Sequence, residues 1–159
     1  MDRQASARTS IERRGDREVV VTRLFDAPPS TVYKAWSRPE LFQRWWMPRS
    51  LAGVSLVSCD LDMRTGGKYR LEFGTGGPET TAFYGKYLDV VPNERIVWTN
   101  DEGEEGAITT VTFADQGGKT LLTFHEVYPS KEALEEALQG SLAGLPEQLD
   151  QLGELLAGE

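Results

Sequence analysis

The 159-residue chain has one cysteine and one histidine, and it has fewer basic than acidic residues. A lone cysteine, Cys59, cannot form an internal disulfide, and one histidine beside it leaves no usual set of zinc ligands. No stretch approaches the roughly 18 apolar residues of a membrane helix. The net charge of −8 disfavours nucleic acid and membrane partners, because it repels phosphate backbones and anionic lipid. We therefore expect no metal, no cofactor and a cytoplasmic location.

The remaining composition is that of a globular domain, with 39% hydrophobic and 26% charged residues. Residues 1–15 are polar and rich in arginine, which predicts a disordered leader. Residues 16–159 contain no linker that would divide them, so we expect one domain. Its length is that of one ordinary domain, able to bury about 70% of its unfolded surface.

The chain changes its hydrophobic period three times. A β-branched strand at 18–24 is followed by two short helices at 31–36 and 39–46, with Ser37 and Glu40 at the spacing of a capping box. Alternating segments separated by short turns then predict antiparallel strands at 54–61, 67–73, 81–91, 95–100, 107–114 and 120–127. Leucines recurring every three or four residues from 134 to 156 predict a helix near 131–139, a kink or restart, and a main helix to about 157.

This order predicts an α+β fold in which a curved antiparallel sheet of about seven strands wraps the C-terminal helix. A twisted sheet that curls around one helix leaves a gap where side chains do not fill the curvature. Many aromatic residues are available to line that gap, although aromatic residues at strand spacing are by themselves also typical of a filled core.

Several motifs together resemble the activator of heat-shock-protein-90 ATPase homologue-like branch of the START/SRPBCC superfamily. They cover about residues 18–157 and are FDAPP at 25–29, VYKAW at 32–36, PELFQRWW at 39–46, GGKYR at 66–70, GKYLDVVPNERIV at 85–97 and EQLDQL at 147–152. The resemblance implies the helix-grip fold. Members bind lipids, polyketides, hormones or other apolar molecules, some are cyclases, aromatases or hydrolases, and the namesake stimulates a chaperone ATPase. The branch has no universal catalytic motif, so the resemblance assigns no catalytic residue.

Our first hypothesis is a non-catalytic or weakly catalytic carrier of a small apolar or aromatic molecule, held between the sheet and the C-terminal helix. The expected apolar walls are Trp45, Trp46, Phe73, Tyr87, Trp98, Phe124, Leu142, Leu145 and Leu149. Polar anchoring is expected from Tyr84, His125, Glu126 and Tyr128. Because side chains alternate between the two faces of a strand, Glu126 shares a face with Leu122 and Phe124. Glu126 is therefore the better candidate for the pocket, and His125 for the solvent face.

Two other hypotheses stay open. The first is a hydrolase or cyclase that uses Glu126 or His125 as acid or base in the same pocket. The second is a chaperone-ATPase-stimulating interaction module. A homodimer through an edge strand or the helical pair is compatible with each of them.

Overall fold

The computed structural model describes residues 9–47, 53–100 and 106–157. Within these ranges the chain forms eight strands and four helices. The strands are β1 Thr9–Arg14, β2 Glu18–Phe25, β3 Ser55–Leu61, β4 Lys68–Gly74, β5 Thr80–Val91, β6 Arg95–Thr99, β7 Ile108–Gln116 and β8 Lys119–Val127. The helices are α1 Pro29–Ser37, α2 Pro39–Trp45, α3 Lys131–Gln139 and α4 Ser141–Ala157.

The strands form one curved antiparallel sheet in the order β1-β2-β8-β7-β6-β5-β4-β3. Every neighbouring pair is antiparallel, and β3 to β8 follow one another as hairpins. This is the helix-grip α+β fold that the sequence predicted, with four helices beside the sheet and a long helix at the C-terminus.

The sheet has one strand more than we expected, because residues 9–14 form β1. This strand pairs with β2 from Thr9 opposite Arg23 to Arg14 opposite Glu18. Its sequence, TSIERR, is largely exposed and has no alternating hydrophobic pattern, so the sequence alone does not distinguish it from the expected leader. Residues 1–8 of that leader lie outside the described residues.

The two short helices meet at Arg38, which ends α1 and begins α2 with extended backbone angles of φ −99° and ψ 120°. The capping box expected at Ser37 and Glu40 is wrong. Ser37 is the last residue of α1, and the N-terminus of α2 has no side-chain cap. Pro29 and Pro39 occupy the first helical positions, where the missing N–H costs nothing.

The C-terminal helices α3 and α4 are separated at Gly140, as the sequence predicted, and Pro146 lies inside α4. Leu149 and Leu152 of α4 are fully buried in a core shared with the inner face of the sheet and with α1 and α2. None of the described helices is both long enough and apolar enough to cross a membrane.

Candidate functional site

A cavity of about 700 Å³ lies between the inner face of the sheet, the α1–α2 pair and the start of α4. Its walls are mainly aromatic and aliphatic. They comprise Trp36, Phe42, Trp46, Met47, Val54, Leu61, Met63, Tyr69, Leu71, Phe73, Thr81, Phe83, Tyr87, Ile96, Trp98, Asn100, Phe124, Glu126, Gly140, Leu142, Gly144, Leu145 and Gln148. Thr81, Phe83 and Gly140 are exposed, so they mark the side on which the cavity meets solvent.

The sheet wall follows from strand alternation. Tyr69, Leu71 and Phe73 of β4 all point inward, because every second side chain of a strand lies on the same face. Opposite Tyr69 in β5 lies Gly85, where a Cβ atom would stand 2.8 Å from the Tyr69 ring and 2.0 Å from the Thr99 carbonyl oxygen. Glycine therefore lets the Tyr69 ring cross β5, where the phenol donates a 2.7 Å hydrogen bond to that carbonyl.

The helical wall is built from aromatic rings at helical spacing. Phe42 and Trp46, four residues apart, stack with ring centroids 4.8 Å apart. Gln148 of α4 donates a 2.5 Å bond to the Trp46 carbonyl, and Gln151 donates to the carbonyls of Trp45 (3.0 Å) and Met47 (2.8 Å). These carbonyls lie at the C-terminal end of α2, where helices leave acceptors without internal partners. The two glutamines thereby hold the helical wall against α4.

The polar part of the cavity is centred on Glu126, which is only 8% exposed. Thr109 donates a 2.6 Å hydrogen bond to Glu126 Oε2, and the Tyr128 hydroxyl donates to Oε1. Asn100 donates to Thr109 Oγ1 over 3.1 Å and to the Ala107 carbonyl over 2.9 Å. Since the Thr109 oxygen accepts from Asn100, its own proton is directed to the carboxylate.

Two tyrosines near the cavity remain protonated. Burial, and then the charge of the Glu126 carboxylate, raise the pKa of Tyr128 well above its ordinary value. Burial is also the main cause that raises the pKa of Tyr87. Both phenols are therefore neutral hydrogen-bond donors at neutral pH.

The structure brings eight of the thirteen sequence-predicted site residues to the cavity wall. They are Trp46, Phe73, Tyr87, Trp98, Phe124, Glu126, Leu142 and Leu145. The other five lie elsewhere, for reasons that differ between the helices and the sheet.

Trp45 and Leu149 are buried away from the cavity. Consecutive residues of a helix point about 100° apart, so Trp46 faces the cavity while the Trp45 indole packs behind it and donates to the Ala35 carbonyl over 2.9 Å. Leu149 lies one helical turn beyond Leu145, where α4 already packs against the core.

Tyr84 and His125 lie on the outer face of the sheet. Tyr84 is 45% exposed, and His125 Nε2 lies 3.0 Å from Glu18 Oε1 on β2. Both alternate with inward residues, as the parity argument indicated for His125. Tyr128 points inward but lies behind Glu126, so it positions the carboxylate and does not line the wall.

Three residues that build the cavity or its polar part were not among the predicted site residues. Thr109 shares the inner face with Val111 and Phe113, so strand parity would have placed it there. Trp36 contacts Trp98 and Phe124, with ring centroids 6.0 and 6.5 Å apart. In the sequence it is one of many aromatic residues, and no pattern distinguishes it from those of a filled core. Gln148 has no sequence signal, because its role depends on where α2 ends.

Within the described residues, no three histidine, cysteine or acidic side chains come together in a way that would hold a metal ion. Cys59 is half-buried on β3, and burial together with neighbouring Asp60 raises the pKa of its thiol to about 11. A thiol in this state is a poor nucleophile and a poor metal ligand.

Solved structures share this fold over nearly the whole chain. A protein from Rhodobacter sphaeroides aligns with a TM-score of 0.84 at 20% identity, covering 94% of this chain and 98% of the other. A protein from Chromobacterium violaceum aligns with a TM-score of 0.73 at 29% identity, covering 88% and 96%. The AHSA1-like protein from Aeromonas hydrophila aligns with a TM-score of 0.69 at 19% identity, covering 87% and 92%.

No curated protein matches the sequence at a significant level. The family model described as Activator of Hsp90 ATPase homolog 1-like protein matches residues 26–157. That range includes all four described helices and six of the eight described strands, β3 to β8. The chain therefore belongs to the family of Activator of Hsp90 ATPase homolog 1-like proteins.

Proposed function

We propose that the chain binds a small apolar or aromatic molecule in this cavity, with no catalysis or only weak catalysis. The cavity carries the proposal: it measures about 700 Å³, and its wall is aromatic and aliphatic with a few polar groups. Small-molecule sites typically measure about 300–1,000 Å³ and have this kind of lining. Membership of the family supports a ligand-binding domain in general.

Binding is favoured over hydrolase or cyclase chemistry by the position of the titratable groups. The only histidine of the chain, His125, lies on the opposite face of β8 from Glu126, so the two cannot act together on one bound molecule. The Glu126 carboxylate already accepts bonds from Thr109 and Tyr128. These contacts suit a fixed anchoring group better than a group that exchanges protons at each turnover.

The binding of N-phenyl-1-naphthylamine, a neutral aromatic fluorophore, tests the proposal. We expect saturable one-to-one binding with increased probe fluorescence. Replacing Leu142, which is 3% exposed on the cavity wall, with Trp should weaken the binding about tenfold or more, because the larger ring occupies the site. Leu88→Trp is the matched control, because Leu88 is 48% exposed and does not line the cavity.

Labelling with 5-fluorotryptophan locates the probe independently of any variant. The chain has four tryptophans: Trp36, Trp46 and Trp98 line the cavity, and Trp45 is buried behind it. On addition of the probe, the ¹⁹F signals of the three lining residues should shift more than that of Trp45. Absence of saturable binding, or shifts that spare all three lining residues, would overturn the proposal.

Stimulation of a chaperone ATPase is a second candidate, favoured by the description of the family. Adding the protein to an Hsp90-type ATPase over a micromolar range tests it. Under the binding proposal alone the ATPase rate stays flat, whereas a saturable rise that survives Leu142→Trp would assign a separate interaction surface.

A further inference from the structure

Four inward side chains form a row across the middle of the sheet. Tyr87 of β5 pairs with Trp98 of β6, Trp98 with Thr109 of β7, and Thr109 with Glu126 of β8. Neighbouring strands lie about 4.8 Å apart, so Trp98 and Glu126 stand about 10 Å apart along this row. An aromatic ring and a carboxylate thus border the same stretch of cavity.

Glu126 gives this stretch a negative charge. Both of its oxygens accept bonds from hydroxyl donors, which fits the carboxylate better than the neutral acid, whose protonated oxygen has to donate. Among the described residues that line the cavity, Glu126 is the only one with a charged side chain at neutral pH. A carboxylate on the wall of a largely apolar cavity favours a positively charged group on the bound molecule, because charge-assisted hydrogen bonds are the strong ones.

Three aromatic rings line the same cavity as Glu126. Phe124 precedes Glu126 by two residues on the same face of β8, and its ring centroid lies 6.2 Å from that of Trp98. Trp36 packs against both rings from α1. A carboxylate next to tryptophan and phenylalanine rings is the combination that binds an organic cation, through an ion pair on one side and cation–π contacts on the other.

We infer that the molecule bound in this cavity carries a protonated nitrogen on an apolar or aromatic body. The ammonium group binds the Glu126 carboxylate, and the body lies along Trp98, Phe124 and Trp36. This inference rests on the proposed function, since it assigns the chemical class of the ligand to the same cavity.

Three matched naphthalene compounds test the inference by displacement of N-phenyl-1-naphthylamine or by calorimetry. They are 2-(1-naphthyl)ethylamine, which is cationic at neutral pH, the neutral 2-(1-naphthyl)ethanol, and the anionic 1-naphthaleneacetate. We expect the wild-type protein to bind the amine about tenfold or more tightly than the alcohol, and the anion more weakly than the alcohol. The order among the three is measured on the unaltered protein, so it does not depend on the folding of a variant.

Glu126→Gln then assigns the preference to the carboxylate. In this variant the amine and the alcohol should bind within about twofold of each other, while affinity for the alcohol stays near that of the wild type. Glu18→Gln is the control, because Glu18 is an acid on the outer face of the sheet beside His125, and it should keep the full preference for the amine.

The outcomes separate the two proposals. Equal affinity of the wild type for amine and alcohol, or a preference that survives Glu126→Gln, overturns the assignment of a cationic ligand and leaves the binding cavity standing. Failure of all three compounds and of the neutral fluorophore to bind overturns the proposed function itself, and the inference with it.

Discussion

Replacing Thr109 with valine removes one hydroxyl group from the interior and keeps the shape of the side chain. Thr109 is fully buried, and its Oγ1 donates to Glu126 Oε2 over 2.6 Å. A hydrogen bond to a charged group contributes about 1.5–3 kcal/mol. Asn100 loses one acceptor but keeps its 2.9 Å bond to the Ala107 carbonyl. We therefore expect Thr109→Val to lower the free energy of unfolding by about 2 kcal/mol.

Urea denaturation, followed by tryptophan fluorescence, measures this change. For a chain of this size, 2 kcal/mol corresponds to a fall in Tm of about 4–8 °C. Thr110→Val is the matched control on the same strand, because Thr110 points to the outer face opposite His125. The control should lie within about 0.5 kcal/mol of the wild type.

A double-mutant cycle with Glu126→Gln identifies the partner. In the glutamine background the hydroxyl contacts a neutral amide, so Thr109→Val should cost about 1 kcal/mol less than in the wild type. If Thr109→Val is as stable as the Thr110 control, or if the cycle shows no coupling, then the Thr109 hydroxyl does not stabilise a charged carboxylate in the polar part of the cavity.

Two further predictions concern the sheet. Gly85→Ala should lower the free energy of unfolding by at least about 2 kcal/mol in urea denaturation, because the new Cβ atom meets the Thr99 carbonyl and the Tyr69 ring. Gly77→Ala is the control, because a Cβ atom there has nothing within 4 Å. Equal stability of the two variants would refute the placement of Tyr69. Burial raises the pKa of the Cys59 thiol to about 11. At pH 8 this thiol should therefore react with iodoacetamide about a hundredfold more slowly in the native protein than in guanidinium. Equal rates in the two conditions would contradict the raised pKa.

Much of the architecture could be predicted because the strands alternate and the final helix repeats its leucines. Parity alone placed Phe124 and Glu126 on one face of β8 and His125 on the other. Alternation fails at a β-bulge, such as the one between Tyr87 and Asp89 of β5. After this bulge the alternation is reversed, and Val90 lies opposite the buried Ile96. A bulge depends on the register with the neighbouring strand, so the segment itself gives no sign of it.

The cavity was less predictable than the fold, because it depends on contacts between distant elements. Sequence could not separate Trp45 from Trp46, since the choice depends on the rotation of α2 about its axis. That rotation is held by Gln148 and Gln151 from more than a hundred residues away. β1 was missed for a different reason: its side chains are mostly exposed, so it has no hydrophobic pattern to detect.

The position of α4 explains why the sheet leaves a cavity. The C-terminal half of the helix packs on β2, where Asp150 pairs with the buried Arg23 and Gly153 lies against Arg23 and Phe25. Its first turns, with Leu142 and Leu145, border the cavity instead. Because β2 is separated from β5 by three strands in the sheet, a helix fixed on β2 does not fill the space over β4 to β6.

This division along one helix separates stability from ligand recognition. Substitutions near Asp150 act on the contact between α4 and β2, whereas those at Leu142 act on the cavity in which we propose that a ligand binds. Binding adds to stability only through occupancy of that space, by about 2.7 kcal/mol at a ligand concentration one hundred times its Kd. The helix can therefore hold the sheet firmly while, under the proposed function, the residues of the opposite wall from Tyr87 to Glu126 determine which molecule is bound.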